Sequence, residues 1–210
     1  MIEIKNVSKS FGKVEVLKNI NLKLKPGRIY GLIGRNGSGK TVFLKMLCAF
    51  YKPTEGEILF DGINIIKENM YPPDTRALIE KPCFLPDLTG YENLKILADI
   101  QNIISDNEII NWCKKLNIDK ELDKKYCHYS LGTKQKLGIV QVLMEDPKII
   151  ILDEPLNGIE NKTAGIIREI LKEEKKNKII IIASHIREDI INLADEVFEF
   201  DDGNIITSKM

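Results

Sequence analysis

The segment GRNGSGKT, Gly34–Thr41, matches the pattern G-x-x-x-x-G-K-[S/T] at every fixed position. An apolar run, Arg28–Ile33, precedes it and predicts a strand, and an apolar helix is predicted over Lys40–Phe50. In this context glycines let backbone N–H groups surround a phosphate chain, and the helix N-terminus adds a favourable dipole. Lys40 would reach the β- and γ-phosphates, and the Thr41 hydroxyl would bind Mg²⁺. The segment therefore predicts a nucleoside triphosphate site without specifying the reaction.

A second stretch ends in two carboxylates. The apolar run Ile149–Leu152 predicts a buried strand, and Asp153 and Glu154 follow it directly. Because the carboxyl ends of parallel strands meet at one sheet edge, Asp153 is expected near the phosphates, where it can support Mg²⁺. Glu154 would polarise the attacking water. An acidic pair after a strand is more often a solvated turn, so this interpretation depends on the glycine-rich loop.

Strands and helices alternate over most of the chain. Further strands are predicted over Lys178–Ala183 and Val197–Phe200, and helices over Thr133–Met144 and about Asn161–Lys175. Alternation of this kind is typical of an α/β domain with a mainly parallel sheet. We therefore predict an α/β fold built on such a sheet.

Two regions depart from the alternation. The N-terminal part predicts strands over Ile2–Val7 and Val16–Leu24 and a hairpin with a tight turn at Asp61-Gly62, hence a small antiparallel sheet. Residues from about 88 to 130 predict helices only, with capping-box patterns that begin at Thr89 and Ser105. A helical insert thus separates the glycine-rich loop from the later strands.

The composition limits the function classes. The 210 residues carry 31 Lys+Arg and 31 Asp+Glu, and only five of the basic residues are Arg, which argues against a nucleic-acid footprint. No apolar run approaches the ~20 residues of a membrane helix, and the N-terminus predicts a strand rather than a signal peptide, so a cytosolic protein is expected. The four cysteines lack metal-site spacing and are predicted to be free, mostly buried thiols.

A small-molecule kinase and a GTPase both fit a phosphate loop, but the segment Tyr129–Leu137, which begins a helix shortly before the Asp153 strand, argues against them. Here the chain resembles the ATP-binding-cassette (ABC) ATPases, and the resemblance extends over nearly all 210 residues. The family's L-S-G-G-Q signature corresponds to Y-S-L-G-T: Ser130 and Gly132 match, Leu131 replaces a glycine, and Thr133 replaces a glutamine.

The resemblance implies roles for further residues. Phe11 would stack on adenine, His185 would contact the γ-phosphate and the attacking water, and Glu80 stands where a glutamine near Mg²⁺ is usual. Glu160 stands in the loop after Glu154 where the family usually has aspartate. The expected catalytic residues are Glu154, His185 and Lys40; the ATP-binding residues are Phe11, Asn36, Gly37, Ser38, Gly39, Lys40, Thr41 and Val42; the metal ligands are Thr41, Asp153 and Glu80; and the signature residues are Ser130, Leu131, Gly132 and Thr133.

The resemblance also implies an architecture and partners. The fold would be a P-loop NTPase with a RecA-like core, an antiparallel β-subdomain and a helical insert, all in one domain over residues 1–210. Residues 1–80 and 134–210 would form the catalytic core, and residues 81–133 the helical subdomain with the signature. Two ATP-binding subunits would meet head to tail, as a homodimer or heterodimer, with ATP and Mg²⁺ between them. A separate transmembrane permease would hold the pair at the inner face of the cell membrane, where roughly Glu80–Gln101 would receive a short permease helix; no nucleic-acid partner is expected.

Glu80, Leu131 and the Y-S-L-G form resemble the exporters that serve bacteriocin, lantibiotic and peptide-antibiotic resistance. A subunit that powers export of a peptide, antibiotic or other amphipathic compound is therefore the leading interpretation. The alternative is a soluble assembly ATPase of the same fold, as in iron–sulfur cluster assembly, with cytosolic scaffold partners. A translation or DNA-repair ATPase ranks third, because the chain lacks a second cassette, a long coiled coil and zinc-binding cysteines.

Overall fold

The computed structural model describes residues 1–208. The α-helices are α1 (Lys40–Leu47), α2 (Gly90–Gln101), α3 (Asp106–Lys115), α4 (Leu131–Leu143), α5 (Asn161–Glu174) and α6 (Arg187–Ile191). The strands are β1 (Ile2–Phe11), β2 (Val14–Leu24), β3 (Arg28–Ile33), β4 (Glu55–Phe60), β5 (Ile63–Asn64), β6 (Thr75–Leu78), β7 (Ile149–Asp153), β8 (Ile179–Ser184), β9 (Glu196–Asp201) and β10 (Asn204–Ser208). Two short 3-10 turns, Asp119–Glu121 and Tyr126–His128, precede α4.

The main sheet has the strand order β10-β9-β3-β8-β7-β6, and every neighbouring pair except β10-β9 is parallel. Every residue of β7 and β8 is buried, as expected for strands that are covered on both faces. The predicted α/β fold with a mainly parallel sheet is confirmed. The shared direction places the ends of β3, β7 and β8 at one edge, where β7 aligns Asp153 with Ala183 of β8.

Alternate residues of the central strands enter two separate cores. On one face Ile150 and Ile180 pack with the helical region and α4 and α5. On the other face Ile151 and Ile181 pack with α1 and the antiparallel sheet. The isoleucine-rich strands therefore contribute to the core on both faces of the main sheet.

The antiparallel sheet has the order β2-β1-β4-β5 and confirms the prediction for the N-terminal region. The Asp61-Gly62 turn has positive φ at both residues, 48° and 84°, as a type I′ hairpin requires. Strands β6 and β10 were not predicted. Each is a sheet edge whose pairing depends on a neighbouring strand rather than on its own pattern.

The helical insert begins as predicted. The side chains of Thr89 and Ser105 each accept a hydrogen bond from the backbone N–H three residues later. The carboxylates of Glu92 and Glu108 in turn accept from the backbone N–H of Thr89 and Ser105, so both capping boxes form. Helix α1 ends at Leu47, earlier than predicted, because the chain soon turns through a left-handed residue at Ala49 (φ 60°).

The carboxylate of Asp195 links strand β3 to the C-terminal end of helix α5. It accepts hydrogen bonds from Ile29 N–H (2.8 Å) and from Lys175 Nζ (2.6 Å).

All four cysteines are free, as predicted, but only two of them are buried: Cys48 and Cys113 are buried, and Cys83 and Cys127 are exposed.

Candidate active site

The glycine-rich loop joins β3 to α1 at the carboxyl edge of the main sheet. Gly37 and Gly39 have φ values of 83° and 102°, in the left-handed region that glycine adopts without strain. Gly34 needs its missing side chain for another reason, because a Cβ there would lie 2.4 Å from the backbone oxygen of Phe200. The loop can therefore wind tightly over the N-terminus of α1, which begins at Lys40.

The Lys40 side chain lies along this loop. Its Nζ donates to the carbonyl oxygens of Gly34 (2.5 Å) and Arg35 (3.1 Å), and the residue is buried. Burial lowers the pKa of Lys40, and the nearby carboxylates of Asp153 and Glu154 oppose this shift. An ammonium group at this position is held beside the loop that would receive a phosphate.

Thr41 and Asp153 meet although 112 positions separate them. The Thr41 hydroxyl donates to Asp153 Oδ2 at 2.8 Å, which leaves its lone pairs free. Asp153 is 4% exposed, and burial raises its pKa, while the Thr41 hydrogen bond acts in the opposite direction. A hydroxyl and a carboxylate are the hard oxygen donors that suit Mg²⁺, which commonly takes one or two protein ligands plus substrate phosphates. Within residues 1–208 there is no cluster of three or more His, Cys, Asp or Glu side chains that could hold a metal ion by themselves.

Glu154 follows Asp153 and contacts the end of β8. Its carboxylate accepts from Ser184 Oγ (3.1 Å) and from the backbone N–H of His185 (2.9 Å), and His185 Nδ1 lies 2.7 Å from Oε1. The Glu154 backbone has φ 49°, in the left-handed region, which is uncommon for a residue with a side chain. The structure thus brings together Glu154 and His185, two residues predicted as catalytic from separate parts of the chain.

A cavity of about 640 Å³ opens over these groups. Its lining includes all the predicted ATP-binding residues except Phe11, namely Asn36, Gly37, Ser38, Gly39, Lys40, Thr41 and Val42. Asp153 and Glu154 line it as well. Phe11 lies outside the lining and packs edge-on against Tyr51, with ring centroids 5.3 Å apart.

Glu80 lines the same cavity, but its carboxylate is paired elsewhere. Its Oε1 accepts from Lys45 Nζ at 2.6 Å, and this hydrogen bond raises the pKa of Lys45. The Glu80 backbone also has a positive φ of 63°. In this conformation Glu80 is the counter-ion of a lysine on α1, and its predicted contact with Mg²⁺ stays a prediction.

The predicted signature residues form the start of α4. Ser130 caps the helix by accepting from Thr133 N–H (3.1 Å), and its Oγ lies 2.8 Å from Thr133 Oγ1. Leu131 is 59% exposed and lines the cavity. Gly132 faces Gly158, whose carbonyl oxygen would lie 2.8 Å from a Cβ at position 132.

Several residues of the site were not predicted. Val16, Lys81, Gln135 and Asn157 line the cavity. They come from β2, from the loop after β6, from α4 and from the loop after β7, and none stands in a pattern that by itself indicates phosphate chemistry. Only the position of Gln135 two residues after Y-S-L-G-T offered a signal.

A glycine-rich loop between a strand and a helix, with a Thr–Asp pair and a glutamate at the same sheet edge, defines a P-loop nucleoside triphosphatase. Comparison with known proteins specifies the class further. Residues 17–157 match the ABC transporter family. The chain therefore belongs to the ABC transporter family, as an ATP-binding subunit with ATPase activity.

Relatives extend over the whole chain. An uncharacterized ABC transporter ATP-binding protein of Bacillus subtilis (strain 168) is 41% identical over all of this chain and 96% of its own length. The bacitracin transport ATP-binding protein of Enterococcus faecalis is 37% identical over 98% of this chain and 68% of its own length. The lantibiotic transport ATP-binding protein of Streptococcus pyogenes is 35% identical over all of this chain and 90% of its own length.

Solved structures show the same fold. An ATP-binding subunit of an ABC transporter superposes with a TM-score of 0.87 at 25% identity, over 98% of this chain and 88% of its own. A dimeric cassette in a post-hydrolysis state with ADP and Pi superposes with a TM-score of 0.86 at 22% identity, over 100% of this chain and 98% of its own. In the part of this chain that the structure describes, no helix combines the length and apolar character needed to cross a bilayer.

Proposed function

We propose that this subunit powers a membrane exporter of a peptide, antibiotic or other amphipathic compound through ATP-driven closure of a head-to-tail dimer. The observation that supports it most is the convergence of Lys40, the Thr41–Asp153 pair and Glu154 on one cavity. The names of the bacitracin and lantibiotic relatives support the exporter class.

In the proposed reaction the loop N–H groups and Lys40 hold the β- and γ-phosphates against the N-terminus of α1. Thr41 and Asp153 would hold Mg²⁺, which when bound neutralises charge on the phosphate oxygens. Phe11 is proposed to stack on adenine, and Glu80 to reach the metal site once its pairing with Lys45 is broken. These assignments place the triphosphate along the cavity with its γ-phosphate toward Glu154.

Glu154 is proposed to orient the attacking water and accept its proton, as a positioned carboxylate does in general-base catalysis. Its two oxygens already accept hydrogen bonds from Ser184 and His185, so the carboxylate is held in one orientation. His185, whose ring is partly exposed, would release Nδ1 from Glu154 and turn toward the γ-phosphate.

The start of α4 supports the dimer proposal. Ser130 caps the helix, but the first-turn N–H groups of a helix remain donors without helical partners, and they favour anions. In the proposed dimer Ser130, Leu131, Gly132 and Thr133 contact the γ-phosphate that the second subunit holds. Hydrolysis would remove that bridge and release the two subunits.

We propose that the chain works as one ABC ATPase domain over residues 1–210, with the core in residues 1–80 and 134–210 and the helical subdomain in residues 81–133. The permease would dock on the helical subdomain, where Phe84, Leu85 and Ile96 line an open groove. Such docking would hold the subunit at the inner, cytoplasmic face of the membrane. No nucleic acid takes part.

The first experiment uses Glu154→Gln. We expect this variant to bind Mg²⁺–ATP with unchanged affinity, to accumulate as a dimer in ATP, and to hydrolyse about 10²- to 10⁴-fold more slowly than the wild type. Size-exclusion chromatography with light scattering reports the dimer, and wild-type turnover should rise more steeply than linearly with protein concentration. Wild-type turnover in the variant, or a rate strictly proportional to concentration, would contradict the mechanism.

The second experiment tests the membrane partner. Glu154→Gln with ATP is used as bait in native membranes solubilised with a mild detergent. Co-purification of a multi-span membrane protein supports the exporter assignment, with Lys40→Ala as the control that should not trap a closed dimer. Recovery only with cytosolic scaffold proteins would replace it by the assembly-ATPase alternative and leave the hydrolysis mechanism intact.

A further inference from the structure

Gln135, in the second turn of α4, contacts the loop that carries Glu154. The residue is 5% exposed, and its Nε2 donates to the carbonyl oxygens of Glu154 (3.2 Å) and Pro155 (3.3 Å). We infer that Gln135 is a positioning residue that fixes the backbone of Glu154 and links the position of the signature helix to hydrolysis. The inference rests on the proposed role of Glu154.

The backbone of Glu154 needs such support. Its φ of 49° lies in the left-handed region, which a residue with a side chain keeps only where its surroundings fix it. The N–H donates to Ala183 O at 2.8 Å, and the carbonyl accepts from Gln135, so both peptide groups are held. This conformation directs the carboxylate to Ser184 and His185. Loss of the Gln135 amide would free the carbonyl side of this arrangement.

Helix α4 contacts the same loop at a second place. In its first turn Leu131 packs beside Gly158, where a Cβ would lie 3.2 Å from Leu131 Cδ2. Gly132 approaches the Gly158 carbonyl so closely that a Cβ would come within 2.8 Å of it. Since one continuous helix carries these contacts and Gln135, a shift of its N-terminus displaces the amide that holds Glu154. Contact of the signature with a phosphate would thereby alter the position of the general base in the same subunit.

The test substitutes Gln135→Met, which keeps an unbranched side chain of similar length and removes the donor. We expect kcat to fall about tenfold or more, with the KM for ATP changed less than about threefold, because a group that acts only on the base leaves nucleotide binding alone. Gln141→Leu, a change of glutamine to an apolar residue in the same helix, is the matched control and should keep the wild-type kcat. Thermal melting of each variant checks its folding, and Gln135→Leu serves if the methionine variant does not fold.

A double-mutant cycle separates positioning from a general structural effect. In the Glu154→Gln background, Gln135→Met should change the residual single-turnover rate less than about twofold, because the group that Gln135 positions is absent. A wild-type kcat in Gln135→Met, or the same fractional loss with and without Glu154, would overturn the inference. If Glu154→Gln itself turns over at the wild-type rate, the proposed function fails instead, so the two failures are distinguishable.

Discussion

Replacement of Thr41 by valine tests the proposed Mg²⁺ site with almost no change in side-chain shape. The variant loses the hydroxyl that donates to Asp153 at 2.8 Å and leaves this buried carboxylate with one donor fewer. A hydrogen bond to a charged group contributes about 1.5–3 kcal/mol, so the free energy of unfolding without nucleotide should fall by about that amount. The pKa of Asp153, already raised by burial, should rise further, since the hydroxyl hydrogen bond lowers it.

Nucleotide affinity distinguishes a metal-binding role of Thr41 from a purely structural one. If Thr41 holds Mg²⁺, the valine variant should bind Mg²⁺–ATP about tenfold more weakly and bind ATP in EDTA as the wild type does. At Mg²⁺–ATP equal to about 100 times the wild-type Kd, ligand stabilisation is about 2.7 kcal/mol for the wild type and about 1.4 kcal/mol for the variant.

Urea unfolding with and without nucleotide, in Mg²⁺ or in EDTA, measures both parts. Thr41→Ser keeps the hydroxyl and should behave like the wild type in all four conditions. Equal Mg²⁺–ATP stabilisation of the wild type and Thr41→Val would refute the metal role. A loss of ATP binding that is the same in EDTA would assign Thr41 to the phosphate loop alone.

Three further predictions follow from other parts of the molecule. Arg76→Met leaves the buried carboxylate of Glu145 without its partner at 2.5 Å, so urea unfolding should show a loss of about 3–5 kcal/mol, and Glu145→Gln in the same chain should restore part of it; no loss would contradict the buried pair. Iodoacetamide at pH 8 should add two groups to the native protein, on Cys83 and Cys127, and four after unfolding, because burial raises the pKa of each of the other two thiols to about 12; mass spectrometry of four groups on native protein would be the opposite result. Burial opposes ionisation of Asp195, but the Lys175 ammonium and the Ile29 backbone N–H that it binds outweigh burial and lower its pKa. The ionised Asp195 therefore stabilises the fold above the unfolded-state pKa, and this stabilisation is lost as pH falls through the lower folded-state pKa. The difference in the free energy of unfolding between the wild type and Asp195→Asn should shrink over that acid range, and a difference that grew would contradict the pairing.

Local patterns predicted the local parts of the fold. The capping boxes at Thr89 and Ser105 and the tight hairpin turn at Asp61-Gly62 depend on residues that are close in sequence, and all three formed as predicted. The buried isoleucine runs predicted β7 and β8 because a strand that is covered on both faces has no polar alternation. Edge strands β6 and β10 were not predicted, since their pairing is supplied by a neighbour.

The sequence by itself determined the glycine-rich loop, the ends of the strands that carry Asp153 and precede Thr41, and the family, because each depends on a contiguous motif in a strand–loop context. Only the tertiary structure decided which groups these residues contact. It paired Glu80 with Lys45, joined His185 to Glu154, and brought Gln135 to the Glu154 carbonyl. These contacts join positions 19 to 35 residues apart in the chain, and they form because parallel strands gather their carboxyl ends at one edge beneath α4. The left-handed backbones of Glu80 and Glu154 follow from that packing, which no local pattern encodes.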